Sequence, residues 1–350
     1  MINPKAKLSA KVFSKDIEMV PTRQGYGEGL VIAGEKDERV VVLCADLTES
    51  TRSILFKEKF PDRFIEVGVA EQALATIAAG MANYGKIPFI SSYAAFSPGR
   101  NWEQIRTTIA LNNVPVKIAG AHAGLTVGPD GATHQMLEDI ALMRAMPNMV
   151  VIAPADAIEA RKATIEAAKN GKPTYIRLAR EKTPVFTTEE TPFKIGRSEI
   201  LWDSTSPTTR PHRIRESVSG AANHRSLITV IACGPLVYEA LLAARELEKS
   251  GIGTLVINCH TIDPIDEEVI IKAARLTGAI VSVEEHQING GLGSAIAEVL
   301  TRNYPVPMEY IGMPNSFGES GQPDELLEKW GMKSGNIIEA VKKAIKRKSY

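Results

Sequence analysis

Phe64-Ile65-Glu66-Val67-Gly68-Val69-Ala70-Glu71-Gln72, running on into Ala73-Leu74-Ala75-Thr76-Ile77-Ala78-Ala79-Gly80, changes its period halfway. The first part alternates as a strand does, and the second is a run of small residues suited to a tightly packed helix. Such a strand-to-helix junction is the repeating unit of an open α/β sheet, and ligands of those sheets gather beyond the C-terminal ends of the strands. Glu71 sits at that junction. Burying its carboxylate is costly unless something compensates, so a partner or a raised pKa has to be found for it.

Outward from this stretch the same rhythm continues. Val40–Ala45, Ile87–Ile90, Val116–Ala119, Met149–Ala153 and Tyr175–Leu178 read as buried strands. Helical patterns lie between them at Gln72–Asn83, Trp102–Leu111, Leu137–Arg144 and Ala157–Lys169. That alternation implies a mostly parallel sheet covered by helices. Pro184, Thr187, Thr188 and Pro192 mark residues 182–193 as a linker. The rhythm then restarts, with strand-like Ile228–Ala232, Thr254–Asn258 and Ala279–Val283 and helical Val237–Lys249, Glu267–Leu276 and Ser294–Thr301. The expected fold is α/β, two three-layer domains with mostly parallel sheets. One stretch breaks the pattern. Residues 203–225, rich in Ser, Thr, Arg and Pro, separate Ile200-Leu201-Trp202 from Ile228-Thr229-Val230, which would otherwise pair as adjacent strands. They read as an enlarged surface loop whose Arg210, Arg213, Arg215 and Arg225 suit an anion, a partner or plain solvent.

Composition narrows the function. Of 350 residues 41 are basic and 41 acidic, so zero net charge argues against a general nucleic-acid or membrane-surface binder. The N-terminus has no apolar signal core, and no apolar run approaches the ~20 residues of a membrane helix, so a cytoplasmic protein is expected. Cys44, Cys233 and Cys259 are widely spaced within or beside apolar runs. Buried, reduced thiols are the expectation, and no Cys or His spacing suggests a metal site.

Four further groups invite chemistry. Ala121 to Gln135 follows a strand and places His122, Asp130 and His134 among glycines. Histidines there can exchange protons with hydroxyls and carbonyls; equally, Asp130 and Thr133 can cap a helix starting near Gln135. Tyr93 and Phe96, three apart beyond another strand, can form a platform for a flat ring or simply pack. Arg23, Arg177 and Arg180 lie near strand ends, where arginine forks suit phosphate. Gly290-Gly291-Leu292-Gly293 can open a helix that receives an anion, or can pack closely in the second domain. Walker A, GxGxxG and GxSxG patterns do not occur in these contexts.

Taken together, the VGVAEQ, SYAAFSPGR, HAGLTVGPDGATHQ and IRLAR segments, in this order, resemble the C-terminal half of transketolases, which some organisms encode as a separate subunit. The similarity runs from about Pro21 to Lys343 and skips the insert. It implies residues 21–185 as a pyrimidine-binding domain after an extension of residues 1–20. A linker of 186–193 and a transketolase C-terminal domain of 194–350, with the inserted loop 203–225, would follow. The implied cofactor is thiamine diphosphate. Glu71 matches the glutamate that contacts its aminopyrimidine, and Phe96 with Tyr93 matches the aromatic pocket around that ring. His122, Asp130 and His134 match residues that hold sugar hydroxyls and assist proton movement. Arg23, Ser50 and Arg180 resemble the set that grips a sugar phosphate, with Asp46 in the matching turn.

The family's diphosphate motif is missing: no Gly-Asp-Gly occurs, and Asn112-Asn113 has none before it. Mg2+ ligands are therefore expected on an N-terminal, α-type partner subunit, the two chains forming a heterotetramer that acts on sugar phosphates. The resemblance also leaves a deoxyxylulose-phosphate synthase-like enzyme, a 2-oxo acid dehydrogenase β subunit and a non-catalytic regulatory subunit as alternatives. His122, where the synthases usually carry arginine, and the DGATHQ segment favour transketolase.

Overall fold

Runs of β-branched and aliphatic residues form the strands. The computed structural model describes residues 1–205 and 226–348. In chain order its strands are β1 (Met19–Pro21), β2 (Val40–Cys44), β3 (Phe64–Glu66), β4 (Ile87–Tyr93), β5 (Lys117–Ala121), β6 (Val150–Ile152) and β7 (Thr174–Arg177). They continue with β8 (Lys182–Pro184), β9 (Glu199–Asp203), β10 (Leu227–Ala232), β11 (Gly253–Asn258), β12 (Thr261–Asp263), β13 (Ile280–Gln287) and β14 (Met308–Met313). Every residue of β2 is buried, as a parallel strand between two helical layers must be.

Seven strands form one sheet in the order β12-β6-β7-β5-β4-β2-β3, and five form a second in the order β14-β13-β10-β11-β9. Within the first, β3, β2, β4, β5, β7 and β6 run parallel, and only β12 opposes its neighbour. The chain thus folds as two α/β domains with mostly parallel sheets. Because β3, β2, β4, β5 and β7 share a direction, the segments that follow them all leave from one edge. Those strand ends and the segments after them carry every candidate residue of the first domain except Arg23. The small β1–β8 ribbon, with Pro21 opposite Lys182, brings the start of the helix Thr22–Lys36, and with it Arg23, to the same edge. That helix lies against Ala157–Lys169 so closely that a Cβ added at Gly25 would stand 1.8 Å from the Ala157 carbonyl oxygen.

Several expectations are corrected. β9 does not neighbour β10: β11 lies between them, and β9 adds antiparallel to its outer side with Trp202 opposite Val256. The crossover through the helix Val237–Lys249 places β11 beside β10 first, which leaves β9 the remaining edge. The helix expected near Gln135 begins at Asp139, because Gln135 is a buried loop residue whose amide donates to Leu125, Gly128 and Glu319 carbonyls. Trp102–Gln104 is one short turn that passes into a wider π-turn over Ile105–Ala110. The Gly290–Gly293 turn does open a helix, but its Leu292 and Gly293 amides donate to the Glu284 carboxyl group at 2.7 and 2.8 Å, so an internal side chain occupies it. Residues 206–225, with all four arginines of the insert, lie outside the described residues.

The two sheets are tied together by buried polar groups. Asp156 caps the helix Ala157–Lys169 and also accepts from the Phe186 and Thr187 amides and the Thr187 hydroxyl. Glu159, one turn on, accepts from the Ala155 amide at 2.7 Å and from Asn258 Nδ2 of β11 at 2.7 Å. Burial, then the neighbouring Asp156, pushes the Glu159 carboxyl from its ordinary 4.5 up to about 8. The folded chain therefore holds a proton that the unfolded chain releases above about pH 4.5. The stability this proton confers is complete in acid and is lost as pH rises toward about 8. Denaturant midpoints measured between those limits should fall with pH for the native chain and fall less for Glu159→Gln. Equal slopes in the two proteins would remove Glu159 from the account. Among the described residues no helix is long and apolar enough to cross a membrane.

Candidate active site

Gly68, at φ +71°, turns the chain out of β3 so that Glu71 becomes the first residue of the helix Glu71–Asn83. A carboxylate at a helix N-terminus is favoured by the backbone dipole. Glu71 is only 2% exposed. Its Oε2 accepts from Arg100 Nη1 at 2.7 Å, and Asn101 Nδ2 donates to its backbone oxygen at 2.8 Å. The compensation sought from the sequence is thus already present within the chain, and it is an arginine.

Arg100 also joins Glu71 to the aromatic residues, since its Cζ lies 4.7 Å from the centroid of Phe96. Tyr93 and Phe96 leave β4 as a stacked pair, with centroids 6.0 Å apart. Tyr93 stacks on His122 at 3.8 Å, and His134 and Phe96 meet in a T-shaped pair at 5.4 Å. Four rings from two loops therefore form one cluster. His122 holds φ +53°, a conformation rare for a residue with a side chain. Burial first, then the charges of Arg23, Arg180 and His134, lowers its pKa to about 3, so its imidazole is neutral. Its Nδ1 is buried without a hydrogen-bond partner. His134 Nδ1 pairs with the Thr133 hydroxyl at 2.9 Å.

Positive charge lies beside this cluster. Arg23 Nη1 donates to the Ser50 carbonyl at 2.6 Å, and its Nε is buried and unpartnered. Burial, then the adjacent Arg52, draws the Arg23 guanidinium below its ordinary pKa. Arg180 Nη1 donates to the Val127 carbonyl at 2.6 Å and lies 3.7 Å from Glu181. Asp46, at φ +57°, is exposed and gives its amide to Glu66 Oε1 at 2.7 Å. Asp130 is exposed at the end of the turn Leu125–Asp130.

Three results were not anticipated. Arg52, at φ +64° with a buried, unpartnered Nε, belongs beside Arg23; its only sequence signal is its place two residues after Ser50. Glu66 ties the two neighbouring turns together, accepting from Asp46, from the Thr48 hydroxyl and from the Gly68 amide. Arg177 is not free for phosphate: its Nε donates to Asp139 at 2.8 Å and its Nη2 to the Glu285 carbonyl at 2.8 Å. Both side chains of that pair are buried.

A flat nitrogen heterocycle fits these residues, because they combine an aromatic wall, a buried carboxylate and a buried imidazole nitrogen awaiting a partner. Among the described residues there is no group of three or more His, Cys, Asp or Glu side chains that would hold a metal ion.

Family models match accordingly, the transketolase pyrimidine-binding domain over residues 18–185 and the transketolase C-terminal domain over residues 222–337. The chain is 42% identical over 328 residues to a putative transketolase C-terminal section from Methanocaldococcus jannaschii, covering 93% of this chain and 96% of that protein. It is 37% identical to a 6-deoxy-6-sulfo-D-fructose transketolase subunit from a Clostridium species, covering 94% and 95% of the two. Its fold matches a split-gene transketolase solved as an inactive β4 tetramer, with a TM-score of 0.82, 42% identity and coverage of 94% and 99%. The chain belongs to the thiamine-diphosphate-dependent transketolase family. Within that family it corresponds to the pyrimidine-binding and C-terminal domains, the part its split relatives carry on a separate chain.

Proposed function

We propose that the chain is the β-type subunit of a two-subunit transketolase. With an α-type partner that carries the diphosphate and Mg2+ site, two of each chain would transfer a two-carbon ketol unit from a ketose phosphate to an aldose phosphate. The observation that carries this reading is the single sheet edge onto which Glu71, four aromatic rings and unpaired guanidinium nitrogens converge. The absence of Gly-Asp-Gly from the chain supports the need for a partner.

Thiamine diphosphate, when bound, supplies the electron sink that permits cleavage of a bond beside a carbonyl. Glu71 would hold a nitrogen of its aminopyrimidine, in surroundings where exclusion of water strengthens the hydrogen bond. Tyr93 and Phe96 would wall that ring. His122, being neutral, offers one donor and one acceptor to a sugar hydroxyl rather than a formal charge. His134 would move protons between solvent and the sugar oxygens, Asp130 would select hydroxyl configuration at the mouth, and the Asp46 turn would border the sugar. Arg23 and Arg180, with the Ser50 turn, would anchor the phosphate.

Mixing the purified chain with a diphosphate-domain partner, thiamine diphosphate and Mg2+ should produce ketol transfer from xylulose 5-phosphate to ribose 5-phosphate. Pyruvate offered in place of the ketose should give none. A well-folded, cofactor-loaded complex that transfers nothing from the ketose would defeat the assignment, and turnover of pyruvate would move it to the oxo-acid class.

A further inference from the structure

Arg100 has no role in the reaction proposed above, yet among the described residues it is the only ion-pair partner of the Glu71 side chain. Its geometry is specific. A guanidinium is a flat, cationic plate edged with N–H donors. Here the plate lies over Phe96 while one N–H points to Glu71 Oε2 at 2.7 Å. A flat heterocycle bonded to Glu71 and stacked on that face of Phe96 would use the same contacts. Arg100 therefore fills, with protein atoms, the contacts assigned above to the aminopyrimidine.

It is also placed to leave. Its amide bonds to the Phe96 carbonyl at 2.9 Å, which fixes the backbone, whereas its side chain is 49% exposed and has solvent to enter. Glu71, at 2% exposed, cannot follow. An unpaired carboxylate in that position would be penalised by burial, so a removable cation keeps the slot formed while it waits.

We propose that Arg100 is a positioning residue acting through Glu71: it holds the carboxylate in place in the cofactor-free chain and is exchanged for the aminopyrimidine ring when that ring binds. The proposal rests on the reading of Glu71 as the ring-binding carboxylate. It makes the cost of breaking one half-exposed ion pair part of the cost of binding the ring. Such pairs contribute up to about 1 kcal/mol, which corresponds to about a fivefold change in affinity.

The test uses the full chain and, as probe, the aminopyrimidine half of thiamine in its free hydroxymethyl form, with affinity read by calorimetry or ligand NMR. Arg100→Gln should bind the probe about fivefold more tightly than the native chain, and Arg100→Lys, which keeps the charge without the flat plate, should fall between them. Raising salt, which screens the native pair, should narrow the difference between native and Arg100→Gln. Equal or weaker binding by Arg100→Gln, with Glu71→Gln weakened, would overturn the exchange while leaving the ring site intact. Equal binding by native and Glu71→Gln would instead overturn the ring site itself. Thermal melts of each variant verify folding, and should Arg100→Gln fail that check, the Arg100→Lys affinity and the native salt dependence decide: no gain in either overturns the exchange.

Discussion

Turnover by the proposed two-subunit complex should fall about a thousandfold when Glu71 is replaced by alanine, within the range that a positioned proton-transfer group contributes. Far-UV circular dichroism should be unchanged. Two effects on the fold oppose each other. Alanine removes a buried carboxylate that is costly to desolvate, and it also removes the acceptor of a half-exposed Arg100. The helix Glu71–Asn83 keeps its packed face, in which Leu74, Ala75, Ala78 and Ala79 are buried. Glu71→Gln separates shape from charge: it preserves the volume and should still lose most of the turnover. Activity of Glu71→Ala within about threefold of native, assayed with saturating cofactor, would remove Glu71 from catalysis.

The largest loss of stability is expected at Arg177. Asp139 and Tyr175 are fully buried, and Asp139 Oδ2 accepts from Tyr175 Oη at 2.7 Å and from Arg177 Nε at 2.8 Å. Arg177→Met would leave that carboxylate without a countercharge, and breaking a buried pair from one side costs about 3–5 kcal/mol. It would also remove the hydrogen bond to the Glu285 carbonyl, which joins β7 to β13 in the second sheet. The melting temperature should fall by roughly 4–7 °C. Adding Asp139→Asn should recover part of the loss, because the stranded charge is then gone. If Arg177→Met melts within about 2 °C of native, the pair is not holding the sheets together.

Most of the sheet was legible because buried parallel strands advertise themselves as apolar runs, as at Val40–Cys44 and Leu227–Ala232. The helix Thr22–Lys36 did not, since Gly25, Gly27, Gly29 and Gly34 lower its intrinsic preference and hide its period. Gly25 and Gly29 permit the close approach to Ala157–Lys169, and Gly27 and Gly34 the approach to Arg52, Leu55, Phe56 and Phe60, so tertiary packing makes a helix that propensity would not. Thr261–Asp263 was too short to stand out as a strand. In the site, the segments that meet at the sheet edge could be located because each follows a strand. Their partners could not. Arg100 lies 29 residues from Glu71, and the Arg177–Asp139 pair spans 38, so only the folded chain brings them together. The same distance explains the misreading of Arg177, a strand-end arginine whose acidic partner is remote in sequence.

β12 has a consequence for how this chain can be divided. Residues 261–263 follow the second domain's β11 yet complete the first domain's sheet, bonding to Val151 and Ile152 of β6. A fragment ending after the first domain would expose the backbone edge of a strand whose side chains, Val150, Val151 and Ile152, are all apolar. Uncovered edges of that kind invite pairing with other copies. A relative of this chain is itself a separate C-terminal section, so a gene of this family can be cut ahead of these two domains. A second cut between its two sheets would produce a sticky half rather than a module.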